Sequence, residues 1–236
     1  MPWDPDTAIG GPAVHFPTTW GAITEAAGPP DLNAIAEAYW KPAYKYVRIH
    51  WNKSNEEAKD LTQGFFASLV ERGLVERFDP GRGRFRTYLR TCIDGYVANA
   101  NAAATRVKRG GGAIHESFDF AAAERELASA SPATPEEIFS REWRRSLFSA
   151  ALAGLRLECD EQGKAVYYLV FQEYDLAGSD RPSYAGLAAR HGIAESAVLN
   201  YLRWCRQRLR ALVVSRVERS TPPGYDRAAE TQDAFR

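Results

Sequence analysis

Between Arg82 and Arg109 the chain concentrates positive charge. Arg82, Arg84, Arg86, Arg90, Arg106, Lys108 and Arg109 face a single acid, Asp94. Phe85, Tyr88 and Tyr96 are interleaved with them. Cations that hold phosphates beside rings that stack on bases are what single-stranded nucleic acid binding requires. The competing reading is that the rings are core residues and the arginines a solvated face. The preceding stretch, Phe78-Asp79-Pro80-Gly81-Arg82-Gly83, must be a loop, because Pro and two Gly break any helix. A Gly-rich loop with flanking basic residues can wrap an extruded base.

A second constellation lies at Ser183–Leu209. Leu187 and Ala188 face inward on a first short helix, and Gly192 follows four residues after Ala188. Ile193 anchors the turn. Val198, Leu202, Cys205 and Leu209 form one stripe on the next helix. A small residue, a Gly four later and an apolar residue six after that is the helix-turn-helix spacing. An ordinary helical hairpin is the alternative. Arg203, Arg206, Arg208 and Arg210 offer phosphate partners and favour DNA. The start of the second helix carries Glu195, Ser196, Leu199, Asn200 and Tyr201. Asn200 suits adenine, and Leu199 or Tyr201 a thymine methyl.

The elements that must position these residues are helical. Asp31 caps a helix with Leu32, Ile35, Tyr39, Tyr46 and Val47 at helical spacing. Ser54 to Glu57 fits a capping box ahead of an apolar stripe that includes Phe65, Phe66 and Leu69. A long helix follows from about Arg84 to Lys108. Gly110-Gly111-Gly112 ends the block, and residues 113–133 read as a mobile linker with at most one short helix. Thr134-Pro135-Glu136-Glu137 restarts order with a second capping box. The expected fold is therefore all-α, with two small helical domains joined by a flexible linker. The boundaries are an N-terminal extension at 1–30, a first domain at 31–109, the linker at 110–133, a second domain at 134–219 and a disordered tail at 220–236.

Bulk composition narrows the function. Lys plus Arg and Asp plus Glu both number 30, so nucleic-acid binding must come from local patches. Cys92, Cys159 and Cys205 lie far apart and the four histidines are scattered, which argues against a disulfide framework or a zinc site and for a reducing, cytoplasmic setting. No metal, cofactor or catalytic constellation is expected, and neither a signal peptide nor a membrane span.

Several motifs resemble those of extracytoplasmic-function sigma factors of bacterial RNA polymerase. Asp60-Leu61-Thr62-Gln63-Gly64-Phe65-Phe66 is similar to the D-L-[TV]-Q-E-x-F motif of that family's region two, and Phe85-Arg86-Thr87-Tyr88-Leu89 to its F-x-x-W-L. Residues 78–89, Arg109 to Gly112, Tyr39 to Pro42 and Thr134 to Glu137 resemble one subgroup of those factors, and Ser183–Leu212 resembles region four. The resemblance implies a non-enzymatic initiation factor. It implies binding to the β′ clamp through Asp60, Leu61, Thr62 and Gln63. It implies recognition and melting of the −10 element by Arg82, Arg84, Phe85, Arg86, Tyr88, Arg90 and Asn99. Ser196, Leu199, Asn200, Tyr201, Arg203 and Arg206 would read the −35 element, beside the β flap. The implied partners are core polymerase and promoter DNA, with an anti-sigma factor or a regulatory kinase as further candidates. Gly64 stands where the family carries Glu. Either Thr62 is the usual family residue and the loss at Gly64 is tolerated because Asp60 remains, or phosphorylation of Thr62, two residues away, restores that charge. The competing readings are a helix-turn-helix regulator acting without polymerase and a helical protein with an interaction role alone.

Overall fold

The computed structural model describes residues 31–106, 119–128, 134–178, 180–222 and 227–236, and these are helical with turns and no strand. The expected N-terminal extension, Gly110 to Gly112 and most of the expected linker lie outside the described residues. The described residues divide into two compact units, one holding those from Asp31 to Ser146 together with those from Val217 to Arg236, the other those from Leu147 to Arg216.

In the first unit the central element is α1 (Leu32–His50), started by Asp31, whose carboxylate accepts from the Ala34 N–H at 3.0 Å. α1 is buried almost all round, the signature of a helix packed on several sides. Its neighbours are α2 (Asn55–Glu71), α3 (Phe85–Arg106) and α4 (Phe120–Ala128). The first turns of α5 (Pro135–Glu161) also belong here, because Tyr39 stacks on Phe139 and Trp143 and meets Phe85 edge-on. Residues 135–146 thus pack with the first domain, although the sequence placed the boundary at 134. Two lysines sit in this interior. Lys45 pairs with Glu126 at 2.5 Å and Glu142 at 2.8 Å, and Lys41 pairs with Glu126 at 2.6 Å. Buried ammonium groups persist only when paired in this way.

α4 lies within the stretch expected to be a mobile linker. Phe120 inserts its ring between Trp40 and Tyr44, and Glu124 pairs with Arg48. The sequence also left residues 220–236 as a disordered tail. Instead Arg219 pairs with Asp31 at 2.6 Å, Ser220 and Thr221 are buried, and Arg227–Ala234 form α9 with Glu230, Asp233 and Ala234 buried. Ion pairs, which leave no apolar period in a sequence, hold Glu230 and Asp233 of α9 in place.

The second unit contains the rest of α5, then α6 (Ala165–Asp175), α7 (Tyr184–His191) and α8 (Glu195–Arg219). Leu155, Cys159, Phe171, Leu187, Val198 and Leu202 are central in its core. Burial pushes the Cys205 thiol up to about 12 and raises the Cys159 thiol too, so both stay protonated and behave as small apolar residues. Among the described residues no helix is long and apolar enough to cross a membrane, and no group of His, Cys, Asp and Glu is placed to hold a metal ion.

Candidate nucleic-acid interface

The loop before α3 is built by Asp79 and Phe78. The Asp79 carboxylate accepts from the Gly81 N–H at 2.9 Å, and the Arg82 N–H donates to the Asp79 carbonyl at 3.0 Å, closing a short 3-10 turn over Pro80–Arg82. Gly83, with φ of 130°, then redirects the chain into α3. The Phe78 ring packs against Phe85 and Tyr88, with centroids 5.2 and 5.3 Å away. The loop is therefore anchored at its base while Asp79 to Arg84 remain exposed.

Each arginine assigned to this interface has an acidic partner in its own chain. Arg82, with 88% of its side chain exposed, approaches Asp79 at 3.3 Å. Arg84 pairs with Asp233. Arg86 pairs with Glu230 at 2.9 Å and Asp233 at 2.5 Å, and its guanidinium lies 4.0 Å from the centre of the Trp143 ring. Arg90 lies 3.9 Å from Glu136. Asn99 is exposed on α3.

Two of the residues assigned to this interface are covered. Phe85 is fully buried, so it offers no face to a base; the apolar side of α3 claims it. Arg86 is buried beneath Trp143 and α9 rather than lying on an open basic face. Tyr88 is half-buried and its hydroxyl donates to the Leu74 carbonyl at 2.6 Å, which ties the ring to the end of the α2 turn.

The capping box at the start of α2 is formed as the sequence predicts. The Glu57 N–H donates to Ser54 Oγ at 3.3 Å and the Ser54 N–H donates to Glu57 Oε2 at 3.0 Å. Further along, Asp60 is exposed and Leu61 and Gln63 are half-buried. Thr62 is buried, and its hydroxyl donates to the Ala58 carbonyl at 2.7 Å. It is therefore withdrawn from the face assigned to polymerase and closed to a kinase while α2 is packed. Gly64 has a local cause. A Cβ built there would overlap the Tyr96 hydroxyl from α3. Glycine at position 64 thus suits the close approach of the Tyr96 side chain to α2.

In the second unit α7 starts at Ser183, whose hydroxyl accepts from the Gly186 N–H at 3.0 Å. It ends at Gly192 in the left-handed region, φ 64°, where glycine is free of the Cβ penalty. The Ile193 N–H closes the turn on the Ala188 carbonyl at 3.0 Å. Leu187, Val198, Leu202 and Cys205 are fully buried, as a helix-turn-helix demands. Ser196, Leu199, Asn200 and Arg203 are exposed on the first turns of α8. Tyr201 is not, because it stacks on Tyr167 at 3.7 Å between centroids. Arg206 is exposed but held by Asp175 through two 2.7 Å contacts, and Arg208 by Glu158 at 2.6 Å.

Comparison with known proteins adds one assignment. Residues 35–107 match the family model of Sigma-70 region 2. The match covers α1 from its fourth residue, α2, the basic loop and all of α3; it is less than half of the chain and excludes the helix-turn-helix unit. No curated protein and no solved structure is matched by the chain.

Proposed function

We propose that this chain is a sigma factor that directs RNA polymerase to promoters, and that within the sigma-70 family it is of the extracytoplasmic-function type. The observation that carries the reading is the coincidence of the Sigma-70 region 2 match with the capped α2 and the basic loop leading into α3. A separate helix-turn-helix unit follows in the same chain.

In this reading α2 docks on the β′ clamp of core polymerase through Asp60, Leu61 and Gln63. Arg82, Arg84, Arg90 and Asn99 follow the non-template strand of a melted −10 element, with the backbone held by charge-assisted contacts to phosphate. Ser196, Leu199, Asn200 and Arg203 enter the major groove of the −35 element, and the same unit touches the β flap. Asn200 would pair with adenine and Leu199 would contact a thymine methyl. Arg206 contributes only if it leaves Asp175. Such a factor is not an enzyme and needs no cofactor. It works by positioning, in the cytoplasm, and an anti-sigma factor is a natural further partner.

The test is core binding. Asp60→Ala with Gln63→Ala should weaken capture by bacterial core polymerase at least tenfold while helical circular dichroism is unchanged. A folded double variant that binds core as the wild type does would remove α2 from the polymerase interface.

A further inference from the structure

The least expected element of the chain is α9, which is short, acidic on one face and buried on that face. Its two carboxylates, Glu230 and Asp233, are buried to 1% and 5% exposure, and both are directed at arginines of the loop and α3. Asp233 bridges Arg84 and Arg86, and Glu230 holds Arg86 from its Nε side. Arg236 neutralises the second oxygen of Asp233 at 3.1 Å. The chain is led to this place by Arg219 on Asp31 and by the Thr221 hydroxyl, which donates to the Val217 carbonyl at 2.6 Å.

A tail retained only for stability would be expected to bring apolar side chains, because buried ion pairs repay little of their desolvation cost. This one brings two carboxylates to two guanidinium groups, the same charge and hydrogen-bond chemistry that a nucleic-acid phosphate offers. Its eight residues are too few to hold a helix unaided, since isolated helices shorter than about 12 residues are marginal in water. Its fold therefore depends on being docked, which places it among the elements that open first. The partners of the other two interface arginines differ in kind. Asp79 belongs to the loop that carries Arg82, and Glu136 to the first turn of α5. Both of those pairs are surface contacts, whereas α9 covers Arg84 and Arg86 with a separate segment of chain whose carboxylates are buried.

We infer that α9 is an internal competitor of nucleic acid: docked on Arg84 and Arg86 it closes the strand-binding site, and its release opens it. This rests on the proposed role of α3 and its loop in strand binding. The partner of Arg84, at the mouth of that site, is thus either the chain's own C-terminal helix or a phosphodiester backbone, one at a time. If the docked state holds nine-tenths or more of the population, the apparent affinity for a strand falls by about tenfold or more, in proportion to the open fraction.

The experiment uses the full-length chain and a fluorescein-labelled single-stranded DNA pool of mixed sequence, read by anisotropy at low salt. Two variants release α9 by different means. Glu230→Gln with Asp233→Asn removes the competing charges. Ala234→Asp buries a new carboxylate under the helix, at a position now 2% exposed, while adding negative charge to the protein. A general charge effect would tighten binding by the first variant and weaken it by the second. Release of α9 tightens both, on the order of tenfold. Arg84→Gln added to either variant should cancel most of the gain. Hydrogen exchange supplies the second readout: in the wild type the amides of Arg227–Ala234 should lose protection as the DNA is added. Variants that keep their helical circular dichroism and bind no tighter than wild type overturn the inference, as does α9 protection that DNA leaves unchanged. Absence of strand binding by every form overturns it too. Core polymerase capture is measured in parallel. Tightened strand binding without core capture would leave the competition standing and remove the sigma reading, whereas core capture without tightening would do the reverse.

Discussion

Gly64 tests the packing of α2 on α3 with a single methyl group. In a helix interior Gly→Ala gains about 1 kcal/mol from backbone propensity. Here the new Cβ would overlap the Tyr96 hydroxyl, with the ring carbon that bears it 3.3 Å away. Tyr96 is held in place by an edge-on contact with Phe65 at 6.0 Å, so it cannot swing clear without loosening that pair. Overpacking of this kind costs about 1–3 kcal/mol. Gly64→Ala should therefore be neutral to destabilising by about 2 kcal/mol, the cost less the propensity gain. Tyr96→Phe deletes the overlapping atom, and the double variant should recover most of the gain. A double-mutant cycle should then show a coupling of about 1–3 kcal/mol. The assay is urea denaturation of the full chain followed by helical circular dichroism, with the transition of the first unit fitted separately because two units need not unfold together. Gly64→Ala that stabilises by the whole propensity term, with no coupling to Tyr96, would refute the argument. The cycle also governs any attempt to restore a carboxylate at this position, because Gly64→Glu in the wild-type background moves Tyr96 before it can offer charge to a partner.

Two further outcomes follow from the buried charges. Lys45→Met takes one counter-ion from Glu142 and Glu126, which keep Arg145 and Lys41, and should cost about 1–3 kcal/mol; pairing it with Glu142→Gln should return part of that loss in the same denaturation assay. The docking of α4 should be acid-labile. The hydrogen bond from Arg48 holds the Glu124 carboxyl below its ordinary value of 4.5. Burial pushes Glu126 upward, but the hydrogen bonds and charges of Lys41 and Lys45 outweigh it and leave that carboxyl lowered as well. Groups with depressed folded values stabilise fully above pH 4.5 and lose that contribution as pH falls through the folded values. Fluorescence of Trp40, which lies against Phe120, should report this loosening below pH 4.5 and stay constant between pH 5 and 7. A signal that changes in the neutral range instead would locate the responsible group elsewhere.

The helices were legible where local chemistry sets them. Ser54 and Glu57 mark the start of α2, and Gly192 marks the left-handed turn between α7 and α8. Apolar spacing placed Leu187, Val198, Leu202 and Cys205 in the core. What stayed hidden depends on partners far along the chain. Arg86 meets an aspartate 147 residues later, and no periodicity in either segment announces it. Pro222, Pro223 and Gly224 suggest disorder, and Glu230 and Asp233 suggest a solvated surface, until Arg84 and Arg86 give them a reason to be buried. α4 is the short helix that the linker composition allows, started by Asp119, whose carboxylate accepts from the Ala122 N–H at 3.0 Å; its docking on Trp40, Tyr44 and Arg48 leaves no local signal. Burial of Thr62 was likewise invisible, because a Thr on a helix reads as polar until its hydroxyl is seen bonded to the preceding turn. The same applies to Tyr201, which base-reading logic exposes and Tyr167 covers.

As a sigma factor, the chain would confer promoter selection on core polymerase. The most direct measurement is transcription in vitro with bacterial core polymerase, the full-length chain and a library of genomic DNA fragments, with transcript starts mapped by sequencing. A sigma factor should give a small set of starts that require the chain and share spaced −10 and −35 elements, and that weaken with Asn200→Ala or Arg82→Ala. Core polymerase whose starts are the same with and without the chain would contradict it.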